Sequence, residues 1–148
     1  MKLSKALKEK NRLIGEMNKH KDIISRENSR SERSTSTINC EKLYQRFFEI
    51  RENLIQLKTA IFKANVPIYE HIVRMGELKA EINWLERLPT QDGEVVESHY
   101  DGQPRYIKYF AWLKTETVDS MCNKLRLEID ELQDLIDEHN AVTEIDFV

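Results

Sequence analysis

The feature that most constrains this chain is an unbroken series of apolar residues spaced alternately four and three apart: Leu43, Phe47, Ile50, Leu54, Leu57, Ile61 and Ala64. A mean spacing of 3.5 residues holds one apolar seam on one side of an α-helix along its whole length. The series predicts a helix over about 39–64, with Asn39 as its N-cap accepting an otherwise orphaned backbone N–H. Tyr44, Phe48, Ile55 and Phe62 lie beside the seam and widen it. A stripe that wide calls for more than one packing neighbour.

The same rhythm recurs with faults elsewhere. A helix over about 2–28 carries Leu3, Leu7, Ile14, Met17 and Ile24 on one stripe, with Lys10 and Lys21 completing the spacing. Lysines weaken a seam, so this helix depends on packing against others. Ser29 to Thr37 has no periodicity and reads as a linker. Asn65-Val66-Pro67 then interrupts the main run, because proline disfavours helix in the residue before it yet suits a first helical turn. A third helix is expected over about 67–87, with Ile68, Ile72, Met75, Leu78, Ile82 and Leu85 facing inward and Trp84 beside them. A sharp turn at Asn65 makes the second and third helices an antiparallel hairpin, and a mild kink makes them one rod; the hairpin is the expectation. A last helix over about 117–139 starts at a Thr117 cap with Asp119 in its first turn. It repeats the spacing in Val118, Cys122, Leu125, Ile129, Leu132 and Ile136 and is stopped near Asn140. Glu144 to Val148 reads as a short tail.

Residues 90–114 differ in character. Asp92-Gly93 and Asp101-Gly102 are turn dipeptides, and the segments around them are β-branched or aromatic, which predicts a β-hairpin over about 94–113. An isolated hairpin is marginal in water, so it must pack on the helices or on another subunit. The expected fold is therefore mainly α: long coiled-coil-like helices packed as a bundle, with one β-hairpin inserted before the last helix, forming a single domain over 1–148.

Charge narrows the function. The chain is 33% charged with only 4 Gly and 3 Pro, the composition of helices with solvated outer faces. A net charge of −3 argues against nucleic acid as a partner, because such proteins carry a basic excess. Met1 to Arg33 is nevertheless strongly basic, whereas from Glu116 onward the only bases are Lys124 and Arg126. Complementary charges beside apolar seams set partner choice in helix assemblies, so the basic first helix is expected to pair with the acidic last one, within or between subunits. Cys40 and Cys122 are expected to be buried free thiols. No apolar run approaches the roughly 20 residues of a transmembrane segment, and the amphipathic opening is unlike a signal peptide. The expected location is the cytoplasm.

The motifs of common chemistries are missing. No histidine has Glu three residues before it, as di-iron bundles require. His-Glu-x-x-His, paired-cysteine zinc spacings, glycine-rich phosphate loops and Gly-x-Ser-x-Gly are absent as well. Asp130, Asp134, Asp137 and Glu138 spread along a straight helix face, whereas a cation site needs converging oxygens. His139 complements a helix end, and His71 and His99 have no partner readable from sequence. No catalytic residue, cofactor or metal ligand is assigned. The residues expected to carry function are packing and interface residues: Leu43, Phe47, Ile50, Leu54, Leu57 and Ile61 of the second helix, Tyr109 and Trp112 of the hairpin, and Cys122, Leu125, Ile129, Leu132 and Ile136 of the last helix. They point to a non-enzymatic, self-associating structural or partner-binding module, a homo-oligomer with room for an unidentified protein partner. Two alternatives stand beside it. One is a membrane-surface protein using the basic amphipathic first helix. The other is a small-ligand protein or enzyme with a site assembled at a subunit interface.

The order of parts also resembles a family of small bacterial helical proteins known as septicolysin-like. The likeness lies in Met1-Lys2-Leu3 with Ala6-Leu7, Asn65 closing the second helix, Met75 to Leu88, Thr117-Val118-Asp119, Ile129-Asp130-Glu131-Leu132, and the closing Asp137, Asn140 and Thr143. It runs along nearly the whole chain and implies a helical fold. It brings no catalytic residues. The family name implies a cytolysin, a role not carried over here because the chain has no apolar pore-forming stretch.

Overall fold

The computed structural model describes residues 1–100 and 102–147. The expected turn residue Asp101, the tail residue Val148 and the side chains of His99 and Tyr100 lie outside the described residues. The elements are α1 (Leu3–Glu27), α2 (Cys40–Asn65), a one-turn 3-10 helix (Val66–Ile68), α3 (Tyr69–Glu86), β1 (Gly93–Tyr100), β2 (Gln103–Tyr109) and α4 (Thr115–Val142). The protein is mainly α, with one antiparallel hairpin before the last helix. It divides into two compact units, one of Met1–Tyr69 with Asp137–Val148 and one of Glu70–Ile136, each with its own apolar cluster.

In the first unit α2 starts where its sequence says. Asn39 is extended and its side chain accepts the Lys42 N–H at 3.1 Å. Ile50, Leu54, Leu57 and Ile61 of the predicted seam are buried, and Leu43 and Phe47 near the helix start are half-buried. The seam partner is α1, but α1 is rotated from the expected stripe. Its buried residues are Leu3, Ala6 and Leu13, and the 3-4 series through them continues to Met17 and Ile24. Leu7 and Ile14, which the sequence placed on the seam, are flanking and half-buried. Ala6 explains the rotation, because a small side chain at the contact lets the two helix backbones approach. Lys21 consequently leaves the seam and lies over the Phe47 ring, 5.8 Å from its centroid, a cation–π contact that uses the charge.

The closing residues do more than trail. Leu3 N–H donates to Thr143 O at 2.8 Å, Ile145 N–H to Met1 O at 2.9 Å, and the Met1 nitrogen to Ile145 O at 2.9 Å. This main-chain clasp buries Ile145 and seats Phe147 against the α1–α2 cluster. His139 Nε2 meets Ala64 O at 3.0 Å, so it donates there and satisfies a carbonyl in the last turn of α2, one of the groups a helix leaves orphaned. Thr143 Oγ1 lies 3.3 Å from the other ring nitrogen.

The connection after α2 is a one-turn 3-10 helix. Asn65, Val66 and Tyr69 all keep right-handed helical backbone angles. Proline occupies the first turn of the short 3-10 helix, where its missing N–H costs nothing.

The second unit has a smaller core, Ile82 and Leu85 of α3 with Val118 and Cys122 of α4. Leu125 and Ile129 pack on it half-buried, and Leu132 and Ile136 continue the buried face of α4. Ile72, Met75 and Leu78 are only half-buried, as is Ile68 at the end of the first unit, and Trp84 is exposed. α4 also starts earlier and ends later than expected: Lys114 O accepts the Val118 N–H, displacing Thr117 as the cap. At the other end Asn140 keeps the helix going to Val142. Cys122 is a buried free thiol, whereas Cys40, at the first residue of α2, is half-buried. The hairpin is anchored at its root. Asp92 Oδ1 accepts the Ala111 N–H at 3.0 Å and Oδ2 pairs with Lys114 at 3.3 Å. Gly93 and Gly102 both have positive φ, which explains glycine at the strand entry and at the tip.

Candidate functional site

Among the described residues no polar or charged side chain is buried in the core, and none form a group able to hold a metal ion. The site to be explained is apolar and lies outside. Tyr44, Phe48, Ile55, Phe62, Val66 and Tyr69 are all exposed. Phe48, Ile55 and Phe62 repeat every seven residues along α2, so they form a second seam displaced by about one residue, roughly 100°, from the buried one. Tyr44 is 56% exposed and Phe62 63%, although side chains of this type account for much of core and interface energetics. The helix is thus two-sided: Ile50, Leu54, Leu57 and Ile61 are spent on α1, and the widening residues have no cover.

The polar positions between those side chains are mixed, Arg51 and Lys58 beside Glu52 and Thr59. Arg51 stacks on Phe48, its guanidinium carbon 4.6 Å from the ring centroid, and pairs with Glu52 at 2.9 Å. Lys58 follows seven residues later and is exposed. The buried seam carries no such charge, which separates an internal core from a face still in water.

A second exposed apolar group lies on the hairpin. Val95 and Ile107 are half-buried register partners, while Val96, Tyr106 and Tyr109 face solvent. Glu97 is an extra residue opposite none, because Val96 pairs with Tyr106 and Ser98 with Arg105; such a bulge increases local twist. Phe110 and Trp112 leave the strand and pack edge to face at 5.1 Å. Trp112 is 89% exposed. Of the expected interface residues, then, Tyr109 and Trp112 lie on the surface, and those of α2 and α4 line internal seams.

The first unit also holds an open groove of about 760 Å³ rimmed by Lys5, Lys8, Arg12 and Arg46 over Leu13 and Ile50. Its arginines are already engaged. Arg12 forks onto Glu9 and reaches Glu16 at 2.8 Å, and Arg46 pairs with Glu49 and Glu16. The Arg12 hydrogen bonds hold the Glu9 carboxyl below its usual range. The arginine side of the rim is a salt-bridged seam edge, and Lys5 and Lys8 on the same rim make no ion pair among the described residues. Between helices, Glu16 of α1 meets Arg46 of α2, and α4 gives Glu128 to Arg74 and Arg126 to Glu86 of α3.

Sequence reasoning missed the clasp and the Asp92 root. Alternating Glu144-Ile145-Asp146-Phe147 was the available signal for the clasp, a half-buried extended pattern. Asp92 looked like any turn residue, because its partners lie 19 and 22 positions away. Among the described residues no helix is long and apolar enough to cross a membrane. No protein-family model, curated protein or solved structure matches the chain.

Proposed function

We propose that this protein is a non-enzymatic helical module that acts by self-association, with the outer seam of α2 and the aromatic end of the hairpin as its contact surfaces. The observation that carries the reading is the seven-residue series Phe48, Ile55 and Phe62, exposed on α2 beside the buried Ile50, Leu54, Leu57 and Ile61. Exposed apolar patches beyond a few hundred Å² mark interaction sites, and closed homo-oligomers are the common solution for such faces. The membrane-surface alternative is weakened, because α1 has committed Leu3, Ala6 and Leu13 to α2 and keeps no free apolar stripe to insert. The resemblance to septicolysin-like proteins fits a helical module equally well and adds no site.

Light scattering after size exclusion at micromolar concentration tests the reading. A defined multiple of 17.6 kDa is expected, and Phe48→Ser with Phe62→Ser should return the protein to single-chain mass without loss of helical circular dichroism. A wild-type mass of one chain would overturn it.

A further inference from the structure

Among the described residues β1 and β2 pair only with each other, and on β2 every residue but the half-buried Ile107 is exposed. Two strands alone are marginal in water, and a strand edge presents a row of main-chain groups that another strand can satisfy. The bulge at Glu97 interrupts the edge of β1. The edge of β2 is regular, and alternation decides which of its groups turn outward. The Ala111 N–H points to the β1 side, where Asp92, next to Gly93, accepts it. Pro104 has no N–H to give the ladder and suits a position whose nitrogen faces away from the partner strand. Both observations place Arg105, Ile107 and Tyr109 inward and leave the main-chain groups of Tyr106 and Lys108 outward.

We infer that the β2 edge pairs antiparallel with the β2 edge of a second copy, centred on Ile107, so that two hairpins form one continuous sheet; the inference rests on the self-association proposed above. In this register Tyr106 and Lys108 of each chain exchange main-chain hydrogen bonds with Lys108 and Tyr106 of the other. Ile107 meets Ile107 of the second copy, and since Val95 is its partner within the hairpin, one face gains an apolar row crossing all the strands, the kind of pairing that stabilises a sheet. Lys108 keeps Glu94 beside it and meets a tyrosine on its other side. Neighbouring registers fail. Sliding two residues one way sets Lys108 against Lys108; sliding two the other way puts Pro104 where Lys108 needs a donor, and two more set Arg105 against Arg105. The charges that protect an edge from indiscriminate pairing thus leave one self-pairing open. The contact is small and adds to that of the α2 seam without replacing it.

Amide hydrogen exchange on the full-length protein tests the assignment, with circular dichroism as the folding control. The Tyr106 and Lys108 amides should be protected in the assembly and lose protection on dilution to the single chain, more than the inward Ile107 amide does. Ile107→Cys should form a disulfide with its own copy, identified by peptide mapping, because Cα atoms of such a facing pair lie about 4.5 Å apart. Tyr106→Cys should not, since its neighbour is Lys108. Lys108→Pro, which a free edge tolerates, should weaken the assembly about tenfold or more by removing a donor from each chain. An associated protein whose Tyr106 and Lys108 amides exchange freely, or which cross-links as well through position 106 as through 107, overturns the assignment alone. A wild type that runs as a single chain overturns the self-association reading and this assignment with it, and mass tells the two cases apart.

Discussion

The two units hold themselves together differently. In the first, two helices longer than twenty residues share a seam centred on Leu3, Leu13, Ile50 and Leu57, and a main-chain clasp through Ile145 closes it. The second rests on a smaller cluster, Ile82, Leu85, Val118 and Cys122, and on a hairpin anchored by polar contacts at its root. A continuous heptad seam buries large side chains without any designed polar contact. A short cluster beside a hairpin needs specific hydrogen bonds to fix its geometry, and its aromatic residues stay in water. The outward aromatic surface of the hairpin and the outer seam of α2 thus have different origins: one is left over from a small core, the other from a helix with more apolar surface than one neighbour covers.

Matched core truncations should break the comparison most strongly. Leu57 and Leu85 are both essentially inaccessible, but Leu57 lies between close-packed helices, whereas Leu85 has half-buried Leu88 and Met121 nearby to fill a void. Leu57→Ala should fall toward the top of the roughly 2–5 kcal/mol range for such cavities and Leu85→Ala toward the bottom. Denaturant melts of the two variants check this, and equal losses would erase the distinction between the cores.

A smaller effect is expected at the start of the first unit's main helix. Asn39→Ala removes the side-chain acceptor for Lys42 N–H and should cost about 1 kcal/mol. Asn39→Asp should keep the bond and most of the stability, because an acid also suits a helix N-terminus.

The smallest effect belongs to the hairpin root. The Ala111 N–H, and after it the Lys114 ammonium, hold the Asp92 carboxyl below its ordinary value. A carboxyl lowered by folding contributes stability that is in place above its unfolded pKa and is lost as pH falls through the folded one. Protection of the Ala111 amide from hydrogen exchange, corrected for intrinsic exchange, should therefore fall only at acid pH, below the usual carboxylate range. In Asp92→Asn that step should vanish. A pH-independent protection in the wild type would remove Asp92 from the root.

How much could be read in advance follows from the range of each interaction. The burial of Ile50, Leu54, Leu57 and Ile61, the Asn39 cap and the position of the hairpin were legible, because each depends on residues within a few positions of one another. The α1 seam was half legible. Leu3, Met17 and Ile24 fit either of two series, and only the approach of α2 chose Ala6 and Leu13 over Leu7 and Ile14. Thr117 failed as a cap because the helix could begin at Thr115 with Lys114 O accepting its first bond, an option equally open by local preference.

By itself the sequence determined that α2 has two apolar faces where one neighbour covers only one, since periodicity and side-chain size are properties of the chain. Tertiary structure decided which face α1 takes, that residues 143–147 clasp the beginning of the chain, and that Asp92 serves Ala111 and Lys114. Those outcomes rest on pairings between distant residues, and local pattern is silent about them: many partners satisfy the same hydrogen bond or apolar stripe, and only packing into a particular volume selects one.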